Sequence, residues 1–153
     1  MKKTFFVLAA MLFGSVFADV TLPADKSKFL IVVLSGQSNM AGRGYLDDES
    51  TNAHPRVVKL TKDFRWVPCV DPIHFDKGEA GAGIGKKFAE LLADANPDCM
   101  VGVVPTAVGG TGMYSWQPGV REVQWNGEVR DLYGNLTNRT FFALQSGKLA
   151  AIL

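Results

Sequence analysis

The sequence predicts an α/β domain built on a parallel sheet. Three observations carry this expectation. Two short apolar runs rich in β-branched residues, Phe29-Leu30-Ile31-Val32-Val33-Leu34 and Met100-Val101-Gly102-Val103-Val104, read as strands buried on both faces. A helical stripe lies between them. A second helical stripe precedes a final apolar run, and parallel neighbours need crossover helices of this kind. At 153 residues, 47% hydrophobic and 20% charged, the chain fits one globular domain able to bury a core.

The first eighteen residues stand apart from that globule. Lys2 and Lys3 precede an uncharged apolar run from Phe5 to Phe17, and Val16-Phe17-Ala18 supplies a small residue at a cleavage point. This is the pattern of a secretory signal peptide, and the run is short of the roughly 20 apolar residues that cross a bilayer. Cleavage after Ala18 leaves a mature chain starting Asp19-Val20, secreted or periplasmic and with no membrane attachment afterwards. Losing Lys2 and Lys3 takes the 16 basic residues to 14 against 15 acidic ones, a net charge near −1. That balance does not favour nucleic acid or anionic lipid as a partner. Cys69 and Cys99 make no metal-site pattern, and in an oxidising compartment both a disulfide and two buried thiols are open to them.

Each remaining element has its own signal. After the first strand, residues 35–44 turn polar and Gly-rich, the composition of a loop leading into a helix start. Residues 47–55 read as a solvated loop, and Val57-Val58-Lys59-Leu60 with Phe64-Arg65-Trp66-Val67 as a second strand or a small hairpin. Ile84, Phe88, Leu91, Leu92 and Ala95 form one helical stripe, stopped by Asn96-Pro97. Met100 to Val104 is a strand ended by Pro105. Val129, Leu132, Tyr133, Leu136, Ala143 and Leu144 predict a second helix closed by Gly147 at C′. Leu149 to Leu153 reads as one more core strand, at a point where natural domains rarely end.

Open α/β sheets bind ligands beyond the carboxyl ends of their strands. The loop after the first strand is Ser35-Gly36-Gln37-Ser38-Asn39-Met40-Ala41-Gly42-Arg43-Gly44, and the loop after the 100–104 strand is Pro105-Thr106-Ala107-Val108-Gly109-Gly110-Thr111. A serine at a strand-to-helix turn can act as a nucleophile, since the helix start aims N–H groups at developing negative charge. Glycines let further N–H groups approach the same oxyanion. The alternative is that Ser38 merely caps a helix and both loops are ordinary turns.

Gly36-Gln37-Ser38-Asn39-Met40-Ala41-Gly42 resembles the nucleophile block of the sialate O-acetylesterase and acetylxylan esterase branch of the SGNH-hydrolase superfamily, carbohydrate esterase family 6. The resemblance continues through Asp71-Pro72-Ile73-His74, Gly81-Ala82-Gly83-Ile84-Gly85 with Phe88-Ala89, and Val103-Val104-Pro105 with Gly109-Gly110-Thr111 and Trp116. It reaches Leu132-Tyr133 and Lys148 to Leu153, so it covers nearly the whole mature chain.

This resemblance implies a three-layer, flavodoxin-like SGNH hydrolase fold with a parallel sheet, incomplete at the C-terminus, residues 19–153 being the N-terminal part of the domain. It implies Ser38 as the catalytic nucleophile and an oxyanion hole made by the N–H of Ser38 and of Gly109 or Gly110. A third donor, in a Trp-x-Gln-Gly-Glu-x-Asp block, and the general base, in an Asp-x-x-His pair, fall beyond Leu153 in the family's order. The implied reaction is two-step ester hydrolysis through an acyl-enzyme, with no metal or organic cofactor. The substrate implied is O-acetylated carbohydrate, either plant polysaccharide or acetylated sialic acid.

Competing readings are a non-catalytic carbohydrate-binding module on the same fold and a lipase-like esterase acting on longer acyl chains. Within the Gly81 to Gly85 run the third glycine falls one position too early for a dinucleotide fingerprint, and Lys86-Lys87 lacks the Ser or Thr of a phosphate loop. Gly36 to Met40 departs from the G-x-S-x-G elbow. Of Trp66, Tyr114, Trp116 and Trp125, at least two are expected in the core rather than as sugar-stacking faces. Asn135-Leu136-Thr137 and Asn138-Arg139-Thr140 match glycosylation acceptors but sit in a predicted helix. Asp71 and His74 repeat the Asp-x-x-His spacing, yet nothing in the sequence brings His74 within reach of Ser38.

Overall fold

The computed structural model describes residues 20–123 and 127–153. The expected signal segment at 1–18 and Trp125 lie outside the described residues. In chain order the elements are β1 (Phe29–Leu34), α1 (Ser38–Ala41), α2 (Asp48–Thr51), β2 (Val57–Leu60), β3 (Trp66–Pro68), α3 (Ile84–Ala95), β4 (Met100–Pro105), β5 (Glu122–Val123), β6 (Val129–Arg130), α4 (Leu132–Ala143) and β7 (Lys148–Ile152).

The main sheet runs β3-β2-β4-β1-β7, and β2, β4, β1 and β7 are mutually parallel. The edge strand β3 is antiparallel to β2, so the sheet is mixed rather than wholly parallel. Its link explains why: the chain turns within Thr61 to Arg65, where Thr61 N–H donates to Arg65 O at 2.8 Å, and so short a link allows only an antiparallel return.

Every residue of β1 is buried, and its side chains alternate between two layers. Leu30, Val32 and Leu34 pack with Ala89 and Ala93 of α3, whereas Phe29, Ile31 and Val33 pack with Ala143 of α4. The result is the α/β domain that the sequence predicts, in the three layers that the family resemblance implies.

Several elements differ in detail from their sequence signals. In α3 the face against the sheet is Gly85, Ala89 and Ala93, while Ile84 and Leu91 are 61% and 60% exposed. A ridge of small residues at i, i+4 and i+8 lets the helix approach closely, and a Cβ at Gly85 would collide with Leu34 Cδ1. The loop at 47–55 contains α2, because Asp47 and Ser50 form a reciprocal cap: Ser50 N–H donates to Asp47 Oδ1 at 2.8 Å and Asp47 N–H to Ser50 Oγ at 2.7 Å.

Helix α4 begins at Leu132, not at Val129, since Asp131 caps it through Gly134 N–H at 2.7 Å. Val129 pairs with Val123 in a two-stranded ribbon instead. Gly147 is not a helix C′ residue; it lies against β1, where a Cβ would stand 2.5 Å from Phe29 O. Strand β7 is present and pairs with β1 as its composition predicts; among the described residues it is an edge of the sheet, with Leu149 and Ile152 46% and 63% exposed. Cys69 and Cys99 are unpaired thiols, and burial pushes Cys69 up to about 12.

Topology fixes where a site can form. After β1 the chain travels towards β2 on one side, and after β4 it travels through α4 to β7 on the other. The carboxyl ends of the adjacent strands β1 and β4 therefore border a switch-point crevice.

Candidate active site

Ser38 sits at that crevice. Gly36, at φ 132°, turns the chain out of β1, and Ser38 becomes the first residue of the single-turn helix α1, with Ala41 N–H donating to Gln37 O and Gly42 N–H to Ser38 O. Gln37 is the capping position and makes no side-chain cap bond, so capping does not account for Ser38. A residue in the first turn has no intrahelical acceptor for its N–H, which leaves that group available to a ligand.

The loop after β4 is stitched to this turn. Thr106 donates to Leu34 O through both its N–H (2.9 Å) and its hydroxyl (2.8 Å), and Val108 N–H donates to Gly36 O at 2.9 Å. These bonds extend the parallel ladder past the end of β1 and carry Gly109 to the nucleophile turn. Gly109 is buried, and a Cβ added there would meet the Arg43 guanidinium and lie 3.7 Å from Ser38 Cα. Gly110 is exposed, adopts φ 82°, and has only Lys77 Nζ near its open side. The structure thus brings Ser38 and Gly109 together and turns Gly110 outward.

A second tier of side chains fixes the loop from behind. Ala107 N–H donates to His74 Nδ1 at 3.1 Å. Arg139 of α4 donates to Pro105 O at 2.8 Å and forks onto Asp76 at 2.5 and 2.7 Å, with its guanidinium 4.6 Å from the Phe75 ring centre. In front of the loop, Lys77 Nζ stands 3.4 Å from Gly109 O and 3.1 Å from Glu79, while Arg43 donates to Gly42 O and Glu79 O. A cavity beside the loop is lined by Lys77, Gly109, Gly110, Thr111, Glu122 and Arg130.

The sequence flagged Arg139 only as part of a glycosylation acceptor, which the structure places inside α4, and it gave Arg43 and Lys77 no role. A cation on the inward face of a helix stripe was the available signal for Arg139.

Neither histidine approaches Ser38 as a base. His54 precedes β2 at the opposite end of the sheet, where its Nε2 meets Asp94 at 3.2 Å, and a strand of four to six residues separates the two ends by roughly 13–20 Å. His74 is 5% exposed, and its Nδ1 is occupied by Ala107 N–H. Burial holds its ring at about 4, with Asp76 raising and Arg139 and Lys59 lowering it.

Asp71 is not paired with His74. It is buried and raised to about 6 by that burial, opposed by Lys86, Lys59 and the N–H groups of Gly83 and Ile73. The Gly81 to Gly85 run serves packing: Gly44 and Ala82 exchange backbone bonds at 2.9 and 3.0 Å, and Gly81 N–H donates to Gly42 O. Trp66 is partly buried and packs edge-on against Phe29 of the core at 5.0 Å, whereas Tyr114 is 71% exposed. Trp116 is partly buried and donates to Thr111 Oγ1 at 3.1 Å. Among the described residues no cluster of three metal-ligating side chains occurs, and no helix is long and apolar enough to cross a membrane.

Comparison with known proteins gives a consistent picture. A model of the family described as "Carbohydrate esterase, sialic acid-specific acetylesterase" matches residues 28–153. "Probable carbohydrate esterase At4g34215" of Arabidopsis thaliana is 32% identical over an alignment covering 58% of this chain and 42% of its own. The X-ray structure of the Arabidopsis thaliana protein AT4G34215 superposes with a TM-score of 0.68 at 28% identity, over 80% of this chain and 55% of that one. The crystal structure of NanS shares the fold with a TM-score of 0.63 at 19% identity, over 87% and 54%. The chain spans about half the length of the relatives it matches.

Proposed function

Because the chain belongs to the sialic acid-specific acetylesterase family of carbohydrate esterases, we propose that it forms the nucleophile-bearing part of a secreted serine esterase that removes O-acetyl groups from carbohydrates. The observation that carries the reading is the approach of Gly109 to Ser38 across the switch-point crevice.

In this reading Ser38 Oγ attacks the acetyl carbonyl. The resulting oxyanion is held by the N–H groups of Ser38, at a helix start, and of Gly109, on a buried loop, a pairing that the proximity of the two residues supports. Gly109 is assigned rather than Gly110 because it faces Ser38, whereas Gly110 is exposed and points towards Lys77. Collapse of the tetrahedral species expels the sugar hydroxyl and leaves acetyl-Ser38. Water then attacks that ester and releases acetate. The proton on Ser38 must leave to a base, and neither His54 nor His74 is placed to take it. The family resemblance implies a late Asp-x-x-His pair, beyond Leu153 in the family's order, as the source of that base.

The test is acetate release from O-acetylated sialic acid and acetylxylan by the full-length protein. Ser38→Ala should lower turnover by roughly 10⁶-fold, the scale seen when a serine protease loses its nucleophile. Ser35→Ala is the control. An inactive Ser35→Ala protein beside an active Ser38→Ala protein would reassign the nucleophile. A wild-type protein that binds acetylated glycan without releasing acetate would make this a binding module.

A further inference from the structure

The geometry points to His74 as a positioning residue, one that holds the Gly109 loop in register with Ser38 by presenting Nδ1 as a fixed acceptor for Ala107 N–H. The assignment rests on the proposed role of Gly109 for its catalytic consequence, although the hydrogen bond itself does not.

Strand β4 pairs with β2 only as far as Val103, opposite Lys59. Beyond that level Pro105 has no N–H to offer, and Thr106 and Val108 turn their N–H groups towards Leu34 and Gly36 on the β1 side. The intervening Ala107 N–H points away from β1, and Ala107 is 1% exposed. A buried N–H without a partner is costly, so something must stand where the next strand would have been. His74 Nδ1 does so at 3.1 Å.

A ring nitrogen that accepts carries no proton, so the imidazole is the Nε2–H tautomer. Its Nε2 is buried with no hydrogen-bond partner among the described residues. The charged groups around the ring are the Asp76 and Arg139 ion pair and Lys59, and none of these ties up Nδ1. His74 is thereby kept neutral, and its proton is never offered to Ala107. The acceptor belongs to the loop that delivers Gly109, with one residue between them. Loss of that acceptor lets the loop move, and displacement of an oxyanion donor by about 1 Å can cost up to roughly 10²-fold in turnover.

The experiment compares His74→Leu and His74→Asn in the full-length protein. Asn can place its side-chain oxygen near the position of Nδ1 and accept the same bond, whereas Leu cannot. His74→Leu should lower kcat by roughly 10- to 100-fold with KM nearly unchanged, and His74→Asn should recover most of it. Nitrogen-15 NMR of the wild-type ring should show the Nε2–H tautomer from pH 8 to pH 5. The Ala107 amide should exchange slowly in the wild-type and His74→Asn proteins.

A protonated Nδ1, or a folded His74→Leu protein with full kcat, would overturn the proposal. If His74→Leu does not fold, the wild-type tautomer and the His74→Asn rate decide it. If the wild-type protein releases no acetate, the esterase reading fails. The tautomer and the Ala107 exchange then test the positioning role separately.

Discussion

Gly109 lies beside Ser38: a Cβ built on Gly109 would stand 3.7 Å from Ser38 Cα and would collide with the Arg43 guanidinium that fills this side. Any side chain at 109 therefore enters the crevice where the proposed oxyanion forms. Gly110, one residue on, is exposed, and its constraint is conformational rather than steric, because φ 82° is a region that L side chains rarely adopt.

These two constraints predict opposite outcomes for neighbouring substitutions. Gly109→Ala keeps its N–H but sets a methyl beside Ser38, so it should lower kcat/KM by up to about 10²-fold, the scale of a small misplacement of the reacting groups, with little change in melting temperature, since the Arg43 head group can swing aside. Gly110→Ala should cost about 1–2 kcal/mol of stability with little change in kcat/KM. Aryl-acetate kinetics and thermal melts on the full-length variants measure both. An inactive Gly110→Ala beside an active Gly109→Ala would exchange the two assignments.

Stability should respond to pH through two buried groups that oppose each other. His74 is held near 4 in the fold against 6.5 when free, so the unfolded chain binds the extra proton, and this group's stabilisation is lost as pH falls from about 6.5 to 4. Asp71 is held near 6 against 3.8, so the folded state binds its proton first, and stability rises as pH falls from about 6 to 3.8. The two shifts act in opposite directions over nearly the same pH window. His74→Asn should therefore gain stability relative to wild type as pH falls through this window. Asp71→Asn should lose it. Denaturant melts between pH 4 and 7 check both slopes, and parallel curves for all three proteins would refute the pairing.

Export is predicted from Lys2-Lys3, the apolar run and Val16-Phe17-Ala18. N-terminal sequencing of protein recovered from the periplasm or medium should begin at Asp19. Protein that keeps Met1 and stays in the membrane would contradict both the cleavage and the location.

What could be read from the chain depended on whether a residue's environment was local. The run at 29–34 announces a doubly buried strand because every side chain in it is apolar, and the Asn96-Pro97 stop ends α3 where expected. The buried face of α3 was not legible, because large apolar residues dominate a helical stripe while close approach to Leu34 rewards Gly85, Ala89 and Ala93. Ser38 is marked by the Gly36 to Gly42 block that resembles the family's nucleophile block, since a turn alone fits a helix cap as well, and the choice between Gly109 and Gly110 depends on Arg43 and the β1 turn lying across from them. The fork from Arg139 to Asp76 and Pro105 joins residues 63 and 34 positions apart, and no local pattern encodes such a pair.

The last prediction concerns the 153-residue chain expressed by itself, which should associate in solution and lack Ser38-dependent esterase activity. Strand β7 hydrogen-bonds to β1 along one side, and its other side is a sheet edge. Leu149 and Ile152 are exposed on it, and Phe141 of α4 is 66% exposed nearby in sequence. An apolar edge with unpaired N–H and C=O groups is a template for pairing with another chain, and Lys148 is the one charged residue in the strand to oppose it. Light scattering of the purified chain should report large species. Leu149→Lys with Ile152→Lys should raise the monomer fraction, since both positions face solvent and neither contributes to the core. Activity should not return with solubility, because neither histidine serves Ser38: His54 is bonded to Asp94 at the far end of the sheet and the Nδ1 of His74 is committed to Ala107. The solubilised chain should hydrolyse an aryl acetate no faster than its Ser38→Ala variant. A soluble monomer with Ser38-dependent turnover would overturn the inactivity expected of the chain, and if His74→Ala removed that turnover the base would be His74 and its positioning role would fall with it.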